Sequence, residues 1–194
     1  MRLLICGDSF SADWTVKTTQ KGWVNDLADL YDVTNLSQAG CSEYKIYQQL
    51  ISQDLKSFDK IIVSHTSPNR LYVKEHPIHK NDSLHKNSDL IYTDLKYHSD
   101  HNPDINPIIE YFEKYFDTDY AAFVHGLICE KIDAITRPYK VLHIANLFWD
   151  DLYQFDHMKN FYWLFKKYRG DVNHYNVQGN QIIFDEINSW ITGN

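Results

Sequence analysis

The sequence predicts an α/β fold, a mostly parallel sheet with helices on both faces. Short apolar runs such as Leu3-Leu4-Ile5-Cys6 and Ile61-Ile62-Val63 read as buried strands. Between them lie stretches whose apolar residues recur at helical spacing. Strand and helix alternate along the chain, the pattern that builds parallel sheets through right-handed crossovers.

The first strand spans 2–6 and breaks into Gly7-Asp8-Ser9. A helix follows over 22–31, with Trp23, Val24, Leu27 and Leu30 on one face. Asp32–Leu36 is the second strand, ending in the polar loop Ser37-Gln38-Ala39-Gly40. Residues 42–55 are helical, with a stripe of Ile46, Tyr47, Leu50, Ile51 and Leu55. Phe58–Ser64 is the third strand, rich in β-branched residues. From His65 to about Asp104 the chain turns polar, with Pro68, Pro77 and Pro103 and few periodic apolar positions. This segment reads as a long loop, lid or insertion of about 40 residues. Helical periodicity returns at Ile105, Ile108, Ile109, Phe112 and Phe116, and again from Tyr120 to Ile135, stopped by Pro138. Lys140–Ala145 is the fourth strand. Phe161–Phe165 reads as a candidate fifth strand, 169–176 as a polar loop, and about 177–192 as the last helix. No repeat and no linker interrupts the chain, so 194 residues read as one domain carrying the insertion.

Composition narrows the function. The chain is 43% hydrophobic and 15% aromatic with only 7 Gly and 5 Pro, which excludes disordered and low-complexity scaffolds. Its 19 basic and 26 acidic side chains give a formal charge of −7, with no basic footprint for nucleic acid or anionic lipid. No apolar run approaches the ~18 residues of a membrane span, and the N-terminal run is too short for a signal peptide. A soluble protein of a reducing, cytoplasmic compartment is expected. Cys6, Cys41 and Cys129 are an odd number without a CxxC pair, so disulfides and structural zinc are not expected.

Ligands of open α/β sheets bind beyond the carboxyl ends of the strands. The loops there hold Gly7-Asp8-Ser9, then Gln38-Ala39-Gly40-Cys41, then His65-Thr66-Ser67-Pro68-Asn69-Arg70. Asp171-Val172-Asn173-His174 precedes the last helix. A hydroxyl, backbone amides, an amide side chain and an imidazole near a carboxylate are the inventory for acyl transfer.

These blocks resemble those of the SGNH (GDSL-type) hydrolases. Gly7-Asp8-Ser9 follows the first strand, Asn35-Leu36-Ser37-Gln38-Ala39-Gly40 resembles the second block, and Asp171-x-x-His174 the last. The resemblance runs the length of the chain and implies a flavodoxin-like three-layer α/β/α sandwich of about five strands. It implies Ser9 as nucleophile, His174 as base and Asp171 as the carboxylate orienting it, with Ser9 and Gly40 N–H groups in the oxyanion hole. The family's third block, usually Gly-x-Asn-Asp, is irregular here. Ungapped, Ser67 stands where the family has asparagine; with two extra residues, Asn69 does, and its amide N–H has the better donor chemistry. Asp8, Ser67 and Arg70 are candidate substrate contacts, Asp8 more readily a loop-stabilising carboxylate and Arg70 equally a structural ion-pair member.

Six of the ten histidines, His65, His76, His79, His85, His98 and His101, fall in the polar segment. His76 and His79 are the metal-ligand alternative, but no zinc spacing matches, so a solvated or substrate-facing loop without metal or cofactor is expected. His125 and His143 read as core residues, and the Phe148–Trp149 and Phe161–Trp163 aromatics as core or pocket wall. No Walker A, GxGxxG, HExxH or GxSxG motif occurs. The resemblance therefore implies a serine esterase acting on a small-molecule or carbohydrate ester. An acyltransferase acting on a hydroxyl acceptor, or a non-catalytic binding module on the same fold, are the alternatives.

Overall fold

The computed structural model describes residues 1–147 and 153–193; Phe148 and Trp149 lie outside them. Five strands form one parallel sheet in the order β2-β1-β3-β4-β5. They are β1 (Arg2–Gly7), β2 (Asp32–Asn35), β3 (Lys60–His65), β4 (Val141–Ala145) and β5 (Met158–Asn160). The order is that of flavodoxin-like doubly wound sheets, whose switch point lies between β1 and β3. Register brings Leu4 beside Ile61 and Gly7 beside Ser64, so the carboxyl ends of β1 and β3 finish together.

Period-2 alternation divides the core into two layers. Leu3, Ile5, Ile62, Leu142 and Ile144 face α1 (Trp23–Leu30) and α7 (Val177–Thr192), packing on Trp23, Leu27, Ile183, Ile187 and Ile191. Leu4, Cys6, Ile61, Val63, Val141 and Ala145 face α2 (Glu43–Ile51) and α5 (Thr118–Thr136), packing on Ile46, Leu50, Cys129 and Ile132. Fully burying each such side chain is worth about 1.5–3 kcal/mol, which anchors the sheet from both sides. All three cysteines are free and buried. No helix among the described residues is long and apolar enough to cross a membrane.

The polar segment is more structured than its sequence pattern predicts. Leu71 and Leu90 form an antiparallel bridge, and α3 (Tyr92–His98) is helical before α4 (Asn106–Lys114) begins. Leu90, Leu95, Ile105 and Ile109 form a small core of their own. Leu90 and Leu95 come from separate short pieces and meet Ile105 and Ile109 only in the folded chain, so no window within 65–104 carries a readable period. Phe161–Phe165 is not a strand: α6 (Tyr162–Lys167) occupies it, with Phe161 and Leu164 buried at helical spacing. The fifth strand is the short Met158–Asn160, paired with β4. The polar loop at 169–176 contains β6 (Arg169–Val172), which folds back through bridges from Arg169 and Val172 to Tyr175.

Candidate active site

Ser9 sits in the turn that leaves β1. The Ser11 N–H closes the turn on the Asp8 carbonyl at 3.1 Å, and Asp8 Oδ1 accepts the Phe10 N–H at 3.0 Å. This Asx-type bond fixes a tight bend that the Gly-Asp-Ser sequence favours. The Ser9 carbonyl is held by Trp14 Nε1–H at 3.0 Å and Asn173 Nδ2–H at 3.2 Å. The residue is nearly buried, so its hydroxyl has one rigid backbone frame.

His174 meets that hydroxyl, with Nε2 2.7 Å from Ser9 Oγ. Asn173 and His174 both have left-handed backbones, φ 50° and 64°. Such residues cost of order 1–2 kcal/mol each and cluster at functional sites. Buried Asn173 offsets the strain by donating to the Ala12 carbonyl at 2.8 Å as well as to Ser9. Gly22 makes room for it: a Cβ there would stand 1.7 Å from Asn173 Oδ1. The His174 ring packs against Phe10 at 4.4 Å and edge-on to Trp14 at 5.9 Å. Burial lowers its pKa; the Asp8 carboxylate raises it, while Arg70, His85 and Arg169 lower it, and the balance is below the usual value of 6.5.

Asp8 is buried and does not face the cavity as a free acid. Its Oδ2 accepts from Thr66 Oγ1 and from Arg70 Nη2, both at 2.9 Å, while Arg70 Nη1 donates to the Cys41 carbonyl at 2.7 Å. Arg70 thus ties the loops after β1, β2 and β3 into one floor, and its fork is committed. Gly40 has φ +77°, and a Cβ there would stand 2.6 Å from Ser88 Cβ. Its carbonyl accepts the Asp89 N–H at 3.0 Å. Among the described residues, no hydrogen bond is made by the backbone N–H of Ser9 or of Gly40. Ser9, Gly40, Arg70 and His174 line one cavity of about 360 Å³, walled by His79, His85, Ser88 and Asp94 of the polar segment and by Phe165 and Arg169.

Like Asp8, three further candidate residues do not line this cavity. Asp171 is exposed on β6, while its neighbour Val172 is buried, as strand alternation requires. The left-handed turn at 173–174 then carries His174 away, with the Gly170 N–H closing on the His174 carbonyl at 3.1 Å. No hydrogen bond joins Asp171 to His174 among the described residues, so the two do not form an orienting pair. Asn69 is exposed and lines a different hollow beside Tyr92 and Phe112. Ser67 lines a cavity of about 480 Å³ walled by Tyr44, Tyr72, Tyr111, Tyr115 and Tyr120. Arg70 borders both that cavity and the one at Ser9.

The histidines are also redistributed. His76 is fully buried rather than solvated, and burial pushes its pKa down to about 4. His79 contacts Asp94 at 2.9 Å in the cavity wall. His65 Nδ1 meets the buried Glu43 carboxylate at 2.6 Å, and its Nε2 meets His143 Nδ1 at 2.8 Å. Burial would raise the Glu43 carboxyl, but His65 and His125 outweigh it and hold it well below the usual range. The Thr66 N–H also donates to Glu43 at 3.1 Å, so this carboxylate fixes the end of β3 against α2.

Two groups among the described residues bring three possible metal donors together: His76, His79 and Asp94, and Glu43, His125 and Cys129. Neither offers a ready donor set. His76 Nδ1 accepts the Ile78 and His79 N–H groups at 3.2 Å, which leaves its proton on the Nε2 that faces Asp94. In the second group the Glu43 carboxylate is already taken up by His65 and Thr66.

Asn173 is the site residue that the motif reading missed; only its place beside His174 pointed to it. Arg169 carried no sequence signal, while His79 and His85 were read only as members of a solvated or substrate-facing loop. Neither a known family model nor a curated protein sequence matches the chain.

Proposed function

We propose that this protein is a serine hydrolase of SGNH type that cleaves an acyl ester through an acyl-enzyme on Ser9. The observation that carries the reading is the 2.7 Å contact between Ser9 Oγ and His174 Nε2 in a cavity lined by Ser9 and Gly40, whose backbone N–H groups make no hydrogen bond among the described residues. With its proton on Nδ1, His174 takes the Ser9 hydroxyl proton on Nε2 as Oγ bonds to the ester carbonyl carbon. The carbonyl oxygen gains the negative charge and is met by the Ser9 and Gly40 N–H groups. Collapse of the tetrahedral species expels the alcohol, protonated by His174. Water, deprotonated by the same imidazole, then releases the acid and restores Ser9.

In this reading the pair is a dyad positioned by Asn173, and the buried Asp8 carboxylate favours the transient imidazolium through space. A depressed His174 pKa keeps the base neutral near pH 7. The tyrosine-lined cavity that shares Arg70 favours a second reading, transfer of the acyl group to a hydroxyl acceptor held there. A fluorophosphonate probe and a short-chain aryl ester test the first reading. Labelling and hydrolysis, both abolished by Ser9→Ala, are expected; an unlabelled, inactive wild type would leave a non-catalytic binding module. Product analysis with added sugar alcohols separates transfer, which yields a new ester, from hydrolysis, which yields only acid.

A further inference from the structure

We infer that Arg169 is an anion-binding residue of the Ser9 cavity and that the preferred substrates are esters carrying a carboxylate or phosphate. The inference rests on the hydrolase reading for its site and names the substrate class.

Two other charges of the cavity, Arg70 and Asp89, are matched. Arg70 is spent on Asp8 and the Cys41 carbonyl. Asp89 is met by Lys45 at 2.8 Å and by the Ser42 and Val73 N–H groups. Asp94 is contacted by His79, and His85 by Asp82. Arg169 lines the same cavity, and no carboxylate pairs with it among the described residues. Its guanidinium stands 4.8 Å from the centre of the Phe165 ring, which orients the fork without using its N–H donors.

Arg169 is exposed on β6, and the contacts of its segment tie it to the site. The backbone bridge from Arg169 to Tyr175 belongs to the turn that carries His174. Phe165, on which the guanidinium rests, stands edge-on to Phe10 at 5.5 Å and to His174 at 6.5 Å. A planar fork with five donors matches carboxylate or phosphate oxygens in a bidentate way, and such charge-assisted bonds are the strong ones. The protein's net charge of −7 makes a cation with no carboxylate partner among the described residues a local selector against the general field.

The test compares kcat/KM for two matched pairs of esters. One pair is 4-nitrophenyl hemisuccinate, with a carboxylate on the acyl side, against neutral 4-nitrophenyl butyrate. The other is 4-acetoxyphenyl phosphate, with a phosphate on the alcohol side, against neutral phenyl acetate. Arg169→Gln is expected to lower the anionic-to-neutral ratio about tenfold or more for at least one pair, the scale of a charge-assisted bond. Arg169→Lys should restore part of that ratio. Which pair responds tells carboxylate from phosphate. Ratios that agree within twofold between wild type and Arg169→Gln for both pairs would overturn the proposal. If wild type hydrolyses no ester, the hydrolase reading fails on its own. The anion site is then decided by calorimetric titration of Ser9→Ala with succinate and phenyl phosphate. Binding weakened at least tenfold by adding Arg169→Gln supports the site, and absent or unchanged binding overturns it.

Discussion

The side-chain amide of Asn173 donates to the Ser9 carbonyl at 3.2 Å, one residue before the imidazole that meets the Ser9 hydroxyl. The base and the nucleophile are therefore joined twice, once through the backbone frame and once through the reacting atoms. The same amide holds the Ala12 carbonyl, so one buried side chain sets the distance between two segments more than 160 residues apart.

Asn173→Gly keeps the left-handed backbone affordable but removes both donors. It is expected to slow fluorophosphonate labelling of Ser9 at least tenfold and to cost about 2 kcal/mol of stability, from two lost buried bonds. Asn173→Ala adds backbone strain of about 1 kcal/mol or more on top. Denaturant titration beside labelling rates checks both; equal labelling of wild type and Asn173→Gly would remove Asn173 from the positioning role.

The pH profile follows from the sign of the His174 shift. A general base works when neutral, and burial has moved this imidazole below 6.5. Activity should therefore rise with pH through a limb centred below 6.5 and be flat near pH 7. A kcat/KM profile centred above 6.5, or one with no acid limb, contradicts the assignment.

Asp171→Asn is expected to change kcat/KM by no more than about threefold, since an exposed carboxylate off the imidazole gives little orientation or charge stabilisation. Asp8→Asn should cost far more. It removes the charge that Arg70 Nη2 and Thr66 bind and leaves a buried guanidinium poorly paired, a loss of about 3–5 kcal/mol. Steady-state kinetics and thermal melts of the two variants decide between them. A hundredfold loss in Asp171→Asn alone would restore the expectation drawn from the motif.

Gly40→Ala meets two obstacles, φ +77° and Ser88 Cβ 2.6 Å from the new atom. A destabilisation of about 1–2 kcal/mol for the backbone alone is expected, with movement of the Gly40 N–H. If that amide is an oxyanion donor, kcat should fall roughly 10²–10³-fold with KM less affected. A fall in KM affinity with kcat intact would place Gly40 outside the oxyanion hole.

Much of the fold was legible because strands buried on both faces and long amphipathic helices leave a local record. Leu3–Cys6, Ile61–Val63 and the Ile183, Ile187 and Ile191 stripe each show their environment in a few residues. The folded part of 65–104 was not legible, because Leu90, Leu95, Ile105 and Ile109 come together only in three dimensions. Phe161–Phe165 misled because a six-residue helix and a short apolar strand look alike.

The sequence by itself determined the α/β class, the places where loops gather at the strand ends, and the pairing of Ser9 with His174 as candidates. Only the tertiary structure decided which carboxylate lies near the imidazole. Asp171 is three residues from His174 in the chain, but strand alternation and a left-handed turn separate them, while Asp8 and Arg70 converge from the ends of β1 and β3. It also showed that Arg70 is spent on Asp8 and Cys41, while Arg169 has no carboxylate partner among the described residues. Whether a charge is matched depends on which partners the fold brings within a few ångströms, and chain spacing does not record that distance.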